Sequence, residues 1–215
     1  MSSDRLVAFS RPEVPTRREV VAEPRRYAAR LCRALEHLDL AAVESLAARV
    51  LATVVRGGAV HLAGNGGSAS TASHYACDLK LVFRGRGLRP AVHNFAESQA
   101  VLTALANDHG YDDVFRHQLV LEAAAGDLLV AISASGDSEN VVRAARAARE
   151  MGVAVAAITG FDGGRLRPLG HVSIHIEESH YGVIEDVQLA VGHMLSQAVA
   201  GLLDHRAAIE EVVSS

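Results

Sequence analysis

Five short apolar runs, at residues 59–63, 90–95, 127–132, 153–158 and 172–176, alternate with helical patterns at 68–82, 97–106, 112–124, 138–151 and 185–204. Strands that alternate with helices over short loops predict a mainly parallel sheet covered by helices on both faces, an α/β three-layer sandwich. Sheets of this kind bind ligands just beyond the carboxyl ends of their strands. Two of the five runs end there in loops of unusual composition.

The run Leu128–Ile132 stops at Ser133, and Ser135, Gly136 and Ser138 follow before a helical pattern opens at Glu139. Small hydroxyl side chains and backbone N–H groups at a helix start suit the oxygens of a phosphate monoester, and the helix end adds partial positive charge. Ordinary capping needs one serine or aspartate, not three serines around a glycine. Upstream, Ala59–Ala63 leads into Gly64-Asn-Gly-Gly-Ser-Ala-Ser70, where glycines permit a tight turn and close approach of backbone to ligand. The spacing is neither GxGxxG nor a P-loop, so a nucleotide is not the expected ligand. Two serine-bearing loops at strand ends point to a sugar phosphate.

At 215 residues the chain fits one α/β domain with added helices. The net charge of −4 gives no electrostatic case for nucleic acid or an anionic membrane. All basic residues but Lys80 are arginine, which with the abundant alanine reads as coding bias, not as a recognition surface. Cys32 and Cys77 form neither a disulfide framework nor a CxxC motif. Met1–Glu23 lacks the apolar core of a signal peptide, and no apolar run approaches the ~20 residues of a membrane span. A cytoplasmic protein is expected. The organisation reads as a flexible arm at 1–21, helices at 22–57, the α/β domain at 58–204 and a tail at 205–215. The first helical pattern, from Pro24 to Glu36, carries Tyr27, Leu31 and Leu35 four apart; the second, Leu40–Val55, ends at Gly57-Gly58. Neither has a strand of its own to cover, so both are expected to pack between subunits.

The two loops, with Gly64-Asn-Gly-Gly-Ser68, Ala106-Asn-Asp-His-Gly110, Ile132–Ser138, Thr159–Gly164 and Gly192-His-Met-Leu195, resemble the sugar isomerase, or SIS, domain over residues 22–204. Within it the chain looks most like the phosphoheptose isomerases. That resemblance implies a flavodoxin-like sheet, a homotetramer, and conversion of sedoheptulose 7-phosphate to D-glycero-D-manno-heptose 7-phosphate for nucleotide-activated heptose synthesis. Ser68, Ser133, Ser135 and Ser138 would hold the substrate phosphate, and Asn65, Gly66, Gly67, Asn107, Asp108, Ala134 and Glu185 would also contact the substrate. The family usually has Thr where this chain has Ala134, so one hydroxyl is missing there. Asp108, beside Asn107, either orients substrate hydroxyls or closes an Asx turn.

The resemblance also implies zinc. The family's His and Glu, four apart after the glycine loop, read here as His74 and Asp78; its Gln and His, eight apart on the last helix, read as Glu185 and His193. All four types can ligate zinc, although 185 and 193 lie about 12 Å apart along a straight helix. Asp78 is then the expected base and His193 the acid, with Glu185 a competing base; an acid of the family is Gly182 here. His93, His175 and His205 read as ordinary surface or core histidines. A non-catalytic SIS protein of the replication-initiator-associating type, or a sugar-phosphate sensor, is the alternative.

Overall fold

The computed structural model describes residues 17–214, and side-chain surroundings for 23–206. Its elements are α1 (Arg17–Glu36), α2 (Leu40–Val55), β1 (Ala59–Gly64), α3 (Gly66–Arg84), β2 (Ala91–Asn94), α4 (Gln99–His109), α5 (Val114–Glu122), β3 (Leu128–Ser133), α6 (Glu139–Glu150), β4 (Ala154–Thr159), β5 (Val172–His175) and α7 (Tyr181–Ser214). The strands form one sheet in the order β2-β1-β3-β4-β5, and every pairing is parallel. The chain leaves β1 toward one edge and returns on its other side as β3. The crevice between their carboxyl ends is therefore the topological switch point where doubly wound sheets take ligands.

Alternation along the strands divides the core in two. Val60, Leu62, Leu128, Val130, Ile132 and Ile158 face α1, α2, α3 and α7, whereas Ala63, Leu129, Ala131, Val155 and Ala157 face α5 and α6. Helix α7 buries Val183, Val187, Val191, Leu195, Val199 and Leu203, a strict four-residue spacing that lays one stripe against this core. Helix α2 starts where Asp39 caps the Ala42 N–H at 3.1 Å.

The expected roles of the terminal segments change. Helix α2 does have strands to cover: Val43, Leu46, Ala47, Val50 and Val54 are buried where it packs on β1, β3, β5 and α7. The α1 stripe of Tyr27, Leu31 and Leu35 packs partly onto the same core. Tyr27 Oη donates to Asp186 of α7 at 2.6 Å, and Arg30 bridges to Glu178. The arm expected at 1–21 is helical from Arg17, and the tail expected from 205 continues α7 to Ser214. The remainder of that arm, residues 1–16, lies outside the described residues.

At the foot of the sheet sits a buried polar knot. His61, wholly enclosed in β1, places Nε2 3.0 Å from Asp127, the residue just before β3, and stacks on Phe95. Asp127 also accepts from the Ala59 N–H at 2.8 Å and the Ala124 N–H at 3.0 Å. Burial depresses the pKa of His61 further than the nearby carboxylate raises it. Its Nδ1 has no partner among the described residues, which suits a neutral ring with a bare lone pair and not a buried N–H. Burial pushes the Asp127 carboxyl up, but the N–H groups of Ala124 and Ala59, with His61, outweigh it and hold it below its ordinary value. Both native groups thus bind protons less readily than their unfolded counterparts, so both contributions are present at neutral pH and fade on acidification. The urea midpoint should fall between about pH 7 and about pH 5, as the unfolded His61 near 6.5 takes up its proton first. Denaturation of His61→Gln across that range should give a shallower pH slope.

Candidate active site

The carboxyl ends of β1 and β3 open a small cavity of about 190 Å³ lined by Asn65, Gly66, Ser68, Ser133, Ala134, Ser135, Ser138, Tyr181 and Glu185. Pockets that enclose a small molecule run to roughly 300–1,000 Å³, so this one takes one end of a ligand. A wider cleft of about 680 Å³ along α1, lined by Arg26, Tyr27, Arg30 and His180, shares no residue with it. The loop after β3 is tightly wound: Ser133 Oγ donates to Ser138 Oγ at 3.1 Å and accepts the Gly136 N–H at 3.2 Å, and Ser135 Oγ accepts the Asp137 N–H at 3.2 Å. Gly136 has φ +71°, and a Cβ there would lie 2.0 Å from the Gly163 carbonyl oxygen, so only glycine fits. Ser133 and Ser138 bond each other, Ser135 bonds the turn, and the three ring the start of α6, a site prepared for anion oxygens.

On the opposite wall, Asn65 is tied by paired amide bonds to buried Asn140, at 2.8 and 3.0 Å, and accepts from Tyr111 Oη at 2.8 Å. Ser68 is buried and donates to Gln188 Oε1 at 2.9 Å, while the Gln188 Nε2 has no partner among the described residues. Sequence reasoning missed Tyr111, Asn140, Tyr181 and Gln188. Gln188 carried a readable signal, a polar residue between Val187 and Val191 on the buried side of α7. Tyr111 did not, because nothing local shows that it folds back to Asn65. Asn107 and Asp108 do not reach the cavity. They close the last turn of α4, not a separate turn, and Asn107 Nδ2 donates to Asp108 at 2.9 Å on an exposed surface.

Further along α3 and α7 the structure gathers His74, Asp78 and His193, whose ligand atoms lie within 4.8 Å of one another. His74 Nε2 is 2.9 Å from His193 Nε2 and 3.4 Å from Asp78 Oδ2. Spacing of four on α3 puts His74 and Asp78 on one face. Close approach of the helices brings His193 to them: a Cβ on Gly192 would meet the Tyr75 ring at 2.1 Å, and Tyr75 Oη donates to the Gln188 carbonyl at 2.5 Å. Two imidazoles and one carboxylate with an open side match the donor set of catalytic zinc sites, so these residues fit the ion. Glu185 is not part of this group. Two helical turns separate it from His193, and its carboxylate lies instead over Gly67, where an added Cβ would sit 2.2 Å from its Cδ.

Comparison with known proteins places this architecture. The SIS domain model matches residues 25–160. A phosphoheptose isomerase of Chlorobaculum parvum is 36% identical over 192 residues, 87% of this chain and 91% of that protein. One from Rhodospirillum rubrum is 37% identical over 163 residues, 75% of this chain and 86% of its own. The structure of phosphoheptose isomerase from Neisseria gonorrhoeae superposes with a TM-score of 0.76 at 29% identity, covering 86% of this chain and 98% of that one. The fold and the serine-lined switch point define an SIS domain protein. Within that group the chain belongs to the phosphoheptose isomerase family, and it is an isomerase.

The Tyr75–Gly192 contact yields a quantitative test. Alanine in a helix normally gains about 1 kcal/mol over glycine, whereas an extra methyl in a filled core costs roughly 1–3 kcal/mol. Overlap with a buried ring puts the balance on the cost side. Gly192→Ala should lower stability to urea, and Tyr75→Leu in the same chain should recover part of it.

Proposed function

We propose that the chain interconverts sedoheptulose 7-phosphate and D-glycero-D-manno-heptose 7-phosphate, supplying the heptose phosphate from which nucleotide-activated heptose is made. The observation that carries this reading is the pairing of a serine-lined cavity at the sheet switch point with a His-Asp-His group farther along the same helix. Ser68 and His74 are six residues apart on α3, about 9 Å. A phosphate held by Ser133, Ser135, Ser138 and Ser68 leaves an extended sugar long enough to reach His74, Asp78 and His193. The relatives named above support the choice of a heptulose phosphate.

Ketose-to-aldose conversion removes a proton from C1, passes through an enediol and returns a proton to C2. Asp78 takes the C1 proton and returns it to C2, and His193, where its Nε2 is not on a metal, gives a proton to the C2 oxygen and takes the one that leaves the C1 hydroxyl. Glu185, held over Gly67 between the cavity and the His-Asp-His group, accepts a hydrogen bond from a substrate hydroxyl and is the nearest alternative base. His74, Asp78 and His193 would hold zinc, which when bound supplies Lewis acidity toward the carbonyl oxygen. Asp78, one methylene shorter than glutamate, approaches C1 with less reach, so Asp78→Glu should keep or raise the rate. His193→Ala should lower kcat/KM by roughly 10²–10⁴-fold while circular dichroism stays unchanged. Metal analysis should find zinc in the unaltered protein and little in that variant. Ser135→Ala with Ser138→Ala should raise KM at least about tenfold, since hydrogen bonds to a charged group are lost. Equal turnover by either variant contradicts the assignment.

The active unit is a homotetramer. His74 and Asp78 share a face of α3 with Leu81, which is 65% exposed. Spacing of four and seven aligns these three on one stripe, and a second copy would cover it. Light scattering at micromolar concentration should give about four times the 22.7 kDa chain mass. A monomer would refute this assembly.

A further inference from the structure

The loop after β4 is locked onto the serine loop by more than packing. Leu166 N–H donates to the Gly136 carbonyl at 2.9 Å, and Gly160 N–H to that of Ala134 at 2.8 Å. Between them, Arg165 folds its side chain over the start of α6. Its Nε donates to Asp137 Oδ1 at 2.9 Å, Nη2 to the Asp137 carbonyl at 2.7 Å and Nη1 to Glu139 Oε2 at 2.6 Å. Its backbone N–H also reaches Asp137 Oδ1, at 3.1 Å. Glu139 has a second partner in Arg143, which bonds its Oε1 at 2.7 Å and Asp113 at 2.6 Å.

The position of the two carboxylates creates a problem for an anion site. Asp137 lies between Ser135 and Ser138, and Glu139 opens α6. Acidic groups at a helix start stabilise the helix, but they repel a second anion brought to the same place. Among the described residues, Arg165 is the one side chain that bonds both. It also fixes a peptide: with the Asp137 carbonyl turned to Nη2, the trans peptide aims the Ser138 N–H the opposite way, away from the guanidinium.

We propose that Arg165 is a positioning residue of the phosphate loop, which neutralises Asp137 and Glu139 and holds the 137–138 peptide in its anion-accepting orientation. This rests on the reading of the serine cavity as the phosphate subsite. Arginine suits the role because its planar fork spans a carboxylate, a carbonyl and a second carboxylate at once, which lysine cannot do. Arg165 does not touch the reacting carbons, so its loss acts on binding and leaves the chemical step alone.

The test measures affinity for sedoheptulose 7-phosphate and, by competition, for inorganic phosphate at low salt, with kcat and KM beside them. Arg165→Gln should weaken both ligands by roughly three- to tenfold, a modest figure because the pairs are partly exposed and screened. KM should rise by the same factor, with kcat within about twofold. Neutralising the two acids in that background, Arg165→Gln with Asp137→Asn and Glu139→Gln, should restore most of the affinity. A purely structural arginine would give no such rescue. The proposal is overturned if Arg165→Gln binds as the unaltered protein does, or if the triple variant stays as weak as the single one. If the unaltered protein binds neither ligand, the phosphate reading fails and takes this inference with it. Thermal unfolding of each variant separates lost affinity from lost fold.

Discussion

Helices α3 and α7 touch more closely than ordinary side chains allow, and the functional geometry depends on that contact. The Tyr75 ring lies where a side chain at 192 would be, and its hydroxyl holds the α7 backbone at Gln188. One residue away on each helix, His74 and His193 come within 2.9 Å. Toward the helix starts, Ser68 meets Gln188, and Glu185 lies over Gly67. A single interhelical packing choice therefore sets the separation of the two imidazoles, the orientation of a buried serine and the position of a carboxylate over the loop. Interaxial distances follow the residues at the contact, and glycine opposite an aromatic ring gives an approach that a larger residue forbids.

The parallel sheet supplies the other half of the arrangement. Its strand order brings two loops, distant in sequence, to the same end of adjacent strands, and each loop starts a helix there. The cavity is polar because the backbone must turn at that point, and Ser133 and Ser135 bond the turn. The two loops are not equivalent. That after β1 is anchored by side-chain amides, Asn65 with Asn140, whereas that after β3 is held by backbone contact with the Gly160–Leu166 loop.

Strand and helix placement was largely legible from hydrophobic periodicity, since each run of five or six apolar residues is long enough to fix its partner layer. The serine loops were legible too, because three hydroxyls around a glycine exceed what capping needs. The use of α2 was not. Its stripe of Val43, Leu46, Val50 and Val54 looks the same whether it meets a sheet or another chain, and periodicity reports a buried face without naming what buries it. The same limit applies to Glu185. Register with His193 suggested a shared role, but the helix pitch sends the two along different stretches of α7, and the short Gly67 opposite draws the carboxylate to the serine cavity. Tyr111 and Asn140 serve the site through long-range hydrogen bonds for which local sequence has no counterpart.

Asp127, far from the cavity at the amino ends of the strands, has a consequence for it. By taking the Ala59 N–H, the Ala124 N–H and His61 together, this one carboxylate fastens the beginning of β1 to the beginning of β3. From there the ladder runs in step to Gly64 opposite Ile132, the last pair before the loops diverge. Because side chains alternate faces, a one-residue slip between these strands would turn each loop to the wrong side of the sheet. The knot acts as an alignment key for the crevice above it, set at the end of the strands that the ligand never visits.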